Sequence, residues 1–546
     1  MTRDISDFNN NFYSAEKLYT SEKFLRALKR LNPNLDSKSI VDRATKKPVD
    51  EVLNALDNLD EFIIDDIQKF SDIFLHSPGI EIERANLTDW KEEPEILSKL
   101  KSEELKNFFK AVNSIWLDLY KKFDSNTLYP GCVSSHLPMK HSFIVPGGRF
   151  IEMYYWDTYW TIEGLLVCDM FKTAREMIEN FIHFIDLYGF IPNGSRIYYL
   201  NRSQPPYFSQ IVFKYFEYTQ NSQLLSQDDK LEIKNFVLNE ALVYMIKEYE
   251  FWMKEKIVEI EIDDHVYRLN IFKANTNRPR PESYFEDINT ASGLSSEKEK
   301  EILYQHLASG AESGHDFTSR WFRDPMKIHT IETSDIIPVD LNAILYKTEL
   351  IISKLSYLKG NLDIAKLFKR NSIERRLSIN KVLWSEQNKM WTDFNLKTKT
   401  SQSEHFYLSN LSPLWFGLRP PNHISELDLI NMHIKKPIEE YNGLPYSFVY
   451  SNEQWDFPNV WAPYQLSLTE FLHKHDKKLS LQLASKFFNS LFTGWKMNNT
   501  FFEKYNALNS GKRGAGGEYE VQSGFGWTNG VALKLIEIFQ DKILDY

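Results

Sequence analysis

Cysteine is nearly absent from this chain, which has two, Cys132 and Cys168, among 546 residues. Two cysteines this far apart give neither a disulfide framework nor the close spacing of a metal-binding motif. They could pair with each other, but a reducing compartment is the simpler interpretation. The chain also lacks an excess of positive charge, with 65 Lys and Arg against 75 Asp and Glu. The net charge is −10 and no basic run occurs, so nucleic acid or another polyanion is disfavoured as a partner.

Long apolar runs are missing as well. No stretch approaches the ~18 apolar residues that a membrane-spanning helix needs, so no membrane partner is predicted. The N-terminal MTRDISDFNNNFY lacks the apolar centre of a signal peptide, and the C-terminal QDKILDY lacks a hydrophobic tail. These absences predict a cytoplasmic protein, with a secreted form that has lost its leader as the alternative. The sequence gives no reason to expect a metal or an organic cofactor, and it leaves the oligomeric state open.

Aromatic residues are abundant, with 38 Phe, 28 Tyr and 13 Trp. Large cores use such residues, but so do carbohydrate clefts, since rings pack against sugar faces while hydroxyl and indole groups hydrogen bond. The stretch PGGRFIEMYYWDTYW (146–160) sets Arg149, Glu152 and Asp157 among aromatic rings behind a Pro-Gly-Gly turn. It is either a sugar-binding segment or a buried turn that enters an aromatic core helix.

Apolar residues recur at spacings of three and four along most of the chain, which predicts helices. One such face comprises Leu105, Phe108, Phe109, Val112, Ile115, Trp116, Leu119, Tyr120 and Phe123. Further helices are expected to end at Gly189 and at Gly360. Only the stretch from Lys256 to Phe272 alternates like a β-hairpin. We therefore expect an all-α fold with at most a small hairpin, in which an N-terminal helical extension (1–100) packs on the main helical domain (101–546).

Polar clusters stand in the connections between the predicted helices. The segment 311–321 places Asp316 among Phe317, Trp321 and His315, and burial there would raise the pKa of the carboxyl as a general acid requires. An aspartate before an apolar stretch is equally often a helix N-cap. The segment 501–530 holds Glu503 and Glu518 around a glycine-rich stretch. That stretch is more typical of a mobile lid than of a phosphate loop, because the P-loop order of Lys and Ser or Thr is missing.

Two of these stretches resemble the signatures of the trehalase family. PGGRF-x-E-x-Y-x-WD-x-Y matches the first signature at every fixed position, and QWDFPNVWAP (454–463) resembles the second. The resemblance extends from about Pro146 to Gly530. It implies an (α/α)6 toroid with functional loops at one mouth, and hydrolysis of α,α-trehalose to two glucose molecules by an inverting acid/base mechanism. Periodicity alone does not show that the helices close into a ring.

The same resemblance assigns roles to residues. It implies that Asp316 is the catalytic acid and Glu503 the catalytic base. The substrate-binding residues that it implies are Arg149, Trp156, Asp157, Asn193, Arg202, Ser203, Gln204, Arg280, Pro281, Glu282, Gly314 and Glu518. From the residues alone, Asp157 and Asp456 compete for a catalytic role, and Trp455, Asp456 and Trp461 are expected in the cleft wall.

The chain departs from the family pattern at two places. His315 stands where trehalases usually have Trp, which removes a stacking surface and adds a titratable neighbour to Asp316. The glycine run is interrupted by Lys512 and Arg513, which bear on the motion of the lid.

Three other functions fit parts of the pattern: an inverting glycosidase of the same fold for another glucoside, a catalytically silent trehalose sensor, and a structural helical scaffold. A sensor should have lost a carboxylate or an arginine, and a scaffold would need none of the loop arginines and acids.

Overall fold

The computed structural model describes residues 5–545, with side chains from residue 12 onward. Most of this part of the chain is helical, as predicted. The α-helices are α1 (Ile5–Tyr19), α2 (Glu22–Leu31), α3 (Ser37–Val41), α4 (Val49–Asn58), α5 (Ile64–Phe74), α6 (Glu103–Leu119), α7 (Asp157–Val167), α8 (Phe171–Tyr188), α9 (Phe208–Asn221), α10 (Gln227–Phe236), α11 (Leu242–Glu255), α12 (Tyr284–Thr290), α13 (Glu297–Glu312), α14 (Val339–Lys359), α15 (Leu362–Val382), α16 (Ser412–Phe416), α17 (Glu426–His433), α18 (Lys435–Glu440), α19 (Ala462–His475), α20 (Lys477–Asn498) and α21 (Gly526–Phe539).

The helices form two concentric rings. Helix α7 packs on α9, α9 on α14, α14 on α16, α16 on α19, α19 on α21, and α21 returns to α7, which closes an inner ring. Helices α6, α8, α11, α15 and α20 pack on the outside of these helices, and α18 packs on α20. The (α/α)6 toroid that the resemblance implies is therefore confirmed. Closure gives each inner helix neighbours on both sides, so these helices are buried almost all round.

Glycines end two of the helices as predicted. Gly189 follows α8 with φ +80°, and Gly360 follows α14 with φ +87°. Both lie in the left-handed region that terminates helices and that only glycine adopts without a Cβ penalty. The chain can therefore reverse at the end of one inner helix (α14) and one outer helix (α8).

The strands are short: β1 (Arg43–Thr45), β2 (Leu75–Pro78), β3 (Ile82–Arg84), β4 (Tyr120–Phe123), β5 (Phe143–Ile144), β6 (Ile257–Ile262), β7 (His265–Asn270), β8 (Ile336–Ile337), β9 (Trp384–Ser385), β10 (Met390–Trp391), β11 (Phe394–Asn395), β12 (Thr400–Ser401), β13 (Asn459–Trp461) and β14 (Lys504–Asn506). The predicted hairpin is β6–β7, which turns through Asp263 and Asp264 with positive φ at both. The other small sheets were not predicted, because their strands of two to four residues are too short to show a clear alternation. Strands β13 and β14 pair antiparallel and place Trp461 opposite Lys504.

The described residues up to position 100 pack closely on the rest of the chain. Strand β3 joins β4 and β5 in one sheet, and α3 packs against the short turn Pro281–Ser283. The buried hydroxyl of Tyr19 donates to the carbonyl of Val133 over 3.2 Å. A division of the chain at residue 100 stays a prediction. Within residues 5–545, no helix is both long enough and apolar enough to cross a bilayer.

Candidate active site

A cavity opens where the N-terminal ends of the inner helices meet. Its wall comes from the connections that lead into α7, α9, α14, α19 and α21, and it encloses about 710 Å³ of space between atoms, including its open mouth. Most of the predicted site residues line it: Arg149, Trp156, Asp157, Asn193, Arg202, Gln204, Arg280, Glu282, Gly314, Asp316, Glu503 and Glu518.

Two predicted residues lie behind the wall instead. The hydroxyl of Ser203 donates to the carbonyl of Ile191 over 2.7 Å, and its backbone N–H donates to Glu312. Pro281 begins the short 3-10 turn that follows Arg280 and contains Glu282. Both residues support the binding loops, and their direct contact with substrate stays a prediction.

Asp316 lies in the connection after α13 and faces the cavity. Burial raises the pKa of its carboxyl to about 8, against the opposing effect of Arg280. Gly314 has φ +75°, and a Cβ there would lie 2.5 Å from the ring of Trp156. Only glycine therefore lets this connection pass so close to the indole. At neutral pH the Asp316 carboxyl is mostly protonated, as a general acid must be.

His315 points away from the cavity, into the aromatic core behind it. Its ring lies 4.6 Å from that of Trp455 and 4.9 Å from that of Tyr446, and Nε2 is 2.8 Å from the hydroxyl of Tyr464. Burial lowers the pKa of the imidazole to about 3. His315 is therefore neutral at ordinary pH and adds no charge beside Asp316.

Glu503 immediately precedes β14 and is 2% exposed. The hydroxyl of Tyr519 donates to Oε1 over 2.7 Å, and the backbone N–H of Gln522 lies 3.5 Å from Oε2. Burial raises the pKa of this carboxyl, whereas Lys504, these two donors and Arg149 lower it. Glu503 thus has partners for the ionised form, which a general base requires.

The two competing aspartates differ in position. Asp157, at the start of α7, lines the cavity, and burial raises the pKa of its carboxyl to about 8. Asp456 is fully buried away from the cavity, where it accepts hydrogen bonds from Thr318, Ser319 and two further serines. Its oxygens are occupied, so Asp456 fixes the acid-bearing loop rather than forming cleft wall. Trp455 and Trp461 do line the cavity and stack on each other at 3.9 Å.

The cavity wall contains three arginines, each paired with a carboxylate. Arg202 Nη2 lies 2.6 Å from Glu282 Oε1. Arg280 Nη2 lies 2.6 Å from Asp287 Oδ1 and 2.7 Å from Glu518 Oε1.

The third arginine, Arg149, pairs with Asp36 at 2.9 Å. Paired guanidinium groups keep a fixed orientation, and their remaining N–H groups can bind sugar hydroxyls.

Several residues of the site were missed by sequence reasoning. Lys504 donates to Gln454 Oε1 over 2.9 Å and to the carbonyl of Gly516 over 3.0 Å, and Gln454 donates in turn to the carbonyl of Asp316. Lys504 thus links three segments: strand β14 next to Glu503, the connection that carries Asp316 (through Gln454), and the glycine-rich segment. Its position next to Glu503 in the sequence was an available signal.

Asp36 and Lys38 were missed for a different reason. They lie more than a hundred residues before their partners, and no local pattern marked them.

A toroid of helix pairs whose mouth holds two carboxyls in one aromatic cavity defines the class of α-toroid glycoside hydrolases. The comparisons with known proteins give the particular family. The family model described as Trehalase matches residues 33–540. The chain is 37% identical to a trehalase of Dictyostelium discoideum, over 96% of this chain and 90% of that protein. It is 34% identical to human trehalase, with the same coverage of both chains.

A solved structure agrees in fold. The neutral trehalase of Saccharomyces cerevisiae superposes with a TM-score of 0.58 at 24% identity, covering 74% of each chain. The chain belongs to the trehalase family.

Proposed function

We propose that this chain hydrolyses α,α-trehalose to two molecules of glucose, with inversion at the attacked anomeric carbon. Family membership supports the substrate and the reaction. The observation that carries the mechanism is that Asp316 and Glu503 face one cavity, with the pKa of Asp316 raised to about 8 and donors placed on Glu503.

Asp316 donates its proton to the glycosidic oxygen while the bond from that oxygen to the anomeric carbon breaks. Glu503 accepts a proton from a water molecule whose oxygen attacks the same carbon from the opposite face. One glucose leaves with its configuration unchanged, and the attacked glucose is inverted. In such enzymes the two carboxyl groups stand roughly 6.5–9.5 Å apart, which leaves room for the water.

The remaining wall residues bind and orient the sugar rings. Arg149, Arg202 and Arg280 donate to hydroxyl groups, and the aromatic rings of Trp156 and Trp455 cover apolar ring faces. Glu518 reaches the cavity from the glycine-rich segment and pairs with Arg280, so this segment closes one side of the site. The exposed Lys512 and Arg513 lie on the solvent side of the same segment.

A panel of disaccharides tests the function. Trehalose, maltose, sucrose and cellobiose are offered at equal concentration and released glucose is measured, with Asp316→Asn as the inactive control. We expect rapid release from trehalose alone. Preference for another glucoside would make the chain a different glycosidase, and trehalose binding without glucose release would make it a sensor.

The cytoplasmic location also remains our prediction, tested by fractionation of the source cells. Activity in the soluble cell extract agrees with it, and activity in the medium contradicts it.

A further inference from the structure

The N-terminal segment reaches the cavity through the short helix α3. Lys38 of this helix lines the cavity, and its Nζ lies 2.6 Å from Oε1 of Glu152, a fixed residue of the first signature. The same Nζ pairs with Asp42 at the other end of the helix. All three side chains are almost completely buried.

This buried charge cluster continues into the toroid. Arg196 lies 2.8 Å from Glu81 and 3.5 Å from both Asp42 and Glu152. Removing one partner from such a cluster leaves an uncompensated buried charge, which is strongly destabilising. These ion pairs therefore fix helix α3 beside the cavity that Lys38 lines.

Asp36 stands immediately before α3 and faces Arg149. Its carboxylate oxygens lie 3.0 Å and 2.9 Å from Arg149 Nη2, and the side chain also accepts from the N–H of Lys38 over 3.3 Å. In the described part of the chain, Asp36 is the one carboxylate in ion-pair contact with this arginine.

Arg149 lines the cavity, and 17% of its side chain is exposed there or at the surface. Its Nε is buried and bonds to no group of residues 5–545. The guanidinium lies 4.7 Å from the ring of Tyr519, and the Tyr519 hydroxyl donates to Glu503 over 2.7 Å. The orientation of this one guanidinium thus bears on both the sugar-binding wall and the support of the base.

We propose that Asp36 is a positioning residue of this reaction: its ion pair with Arg149 holds the guanidinium in the cavity wall so that the accessible N–H groups face the sugar, which makes α3 part of the catalytic cleft. The inference rests on the proposed function, since it takes Arg149 as a sugar-binding residue.

The test compares Asp36→Ser with Asp66→Ser in the full chain. Serine keeps a helix-capping oxygen but is too short to reach Arg149. Asp66 is a matched control, because it also lies near a helix start, pairs with a cation (Lys69 at 3.5 Å) and has a similar exposure of 45% against 41% for Asp36. We expect Asp36→Ser to lower kcat/KM about tenfold, mostly through KM, because Arg149 would bind hydroxyls in both ground and transition states. Asp66→Ser should match the wild type.

A double-mutant cycle separates positioning from general structural support. If Asp36 acts through Arg149, then Asp36→Ser adds no further loss when Arg149 is already Ala. Two losses that multiply, or an Asp36→Ser enzyme with wild-type kcat/KM, overturn the inference. Asp36→Thr, which also keeps a capping oxygen and is also too short to reach Arg149, replaces Asp36→Ser if the serine variant does not fold.

The cycle uses whichever disaccharide of the panel the wild type cleaves. A wild type that prefers another sugar contradicts the proposed function, while the ratios between variants still decide the role of Asp36.

Discussion

The two carboxyls that we propose as acid and base, Asp316 and Glu503, line the same cavity but have different neighbours. The backbone carbonyl of Asp316 accepts a hydrogen bond from Gln454, and burial together with the charge of Glu518 raises the pKa of its carboxyl against the opposing charges of Arg280 and Arg202. Glu503 has a hydroxyl and an N–H on its oxygens and a lysine beside it. Burial raises the pKa of both carboxyls. The neighbours of Glu503 act against that rise, whereas Glu518 adds to it at Asp316. An acid and a base can therefore work side by side at one pH.

The largest effect is expected when either carboxyl loses its ability to transfer a proton. Asp316→Asn and Glu503→Gln should each lower kcat by roughly 10²–10⁴-fold, the usual contribution of a general acid or base. Turnover is measured with trehalose, and circular dichroism checks the fold. Near-normal turnover by a folded variant would remove that residue from the mechanism.

Replacing any one cavity arginine by lysine should have the next largest effect. Arg149→Lys, Arg202→Lys and Arg280→Lys keep the charge and lose the planar fork, so kcat/KM should fall at least about tenfold in each. Arg419→Lys is the control, since Arg419 is exposed and does not line the cavity. Wild-type values for all three cavity variants would make these side chains structural only.

The pH profile should move when a partner of the base is removed. Activity requires ionised Glu503, so it falls as pH drops through that pKa, and it requires protonated Asp316, so it falls as pH rises through about 8. Tyr519→Phe removes a donor that favours ionised Glu503, so the acidic limb should move to higher pH by about half a unit or more.

The alkaline limb should stay in place in this variant. The exposed Tyr357 gives the control Tyr357→Phe, whose two limbs should match the wild type. An unmoved acidic limb in Tyr519→Phe would contradict the role of the tyrosine.

The smallest effect on the pH profile is expected at His315. Because burial keeps this imidazole neutral, His315→Gln should leave both limbs unmoved, although repacking the aromatic core lowers the thermal stability. The profile is compared with a thermal melt of the same variant. A shifted alkaline limb would show that His315 tunes the acid after all.

Sequence reasoning reached the helices and most of the cavity residues because both leave local signals. Gly189 and Gly360 mark helix ends within a few residues, and the two signatures are contiguous stretches. What it missed depends on contacts between distant segments. Asp36 and Arg149 are 113 positions apart, and Gln454 and Asp316 are 138 apart. No spacing rule relates such pairs before the chain is folded.

Asp456 shows the converse error. It looked like a possible catalytic acid within a signature, but only the fold shows that four donors surround its carboxylate.

The stereochemistry of the products tests the acid/base account most directly. Trehalose has two α-linked anomeric carbons, so inversion at one of them releases one β-glucose and one α-glucose. Proton NMR in the first minutes, before mutarotation mixes the anomers, should show equal α and β signals. If α-glucose alone appears at first, Glu503 is not a base for water, a nucleophile such as Asp157 or Glu518 must take its place, and the mechanism proposed for this cavity is wrong.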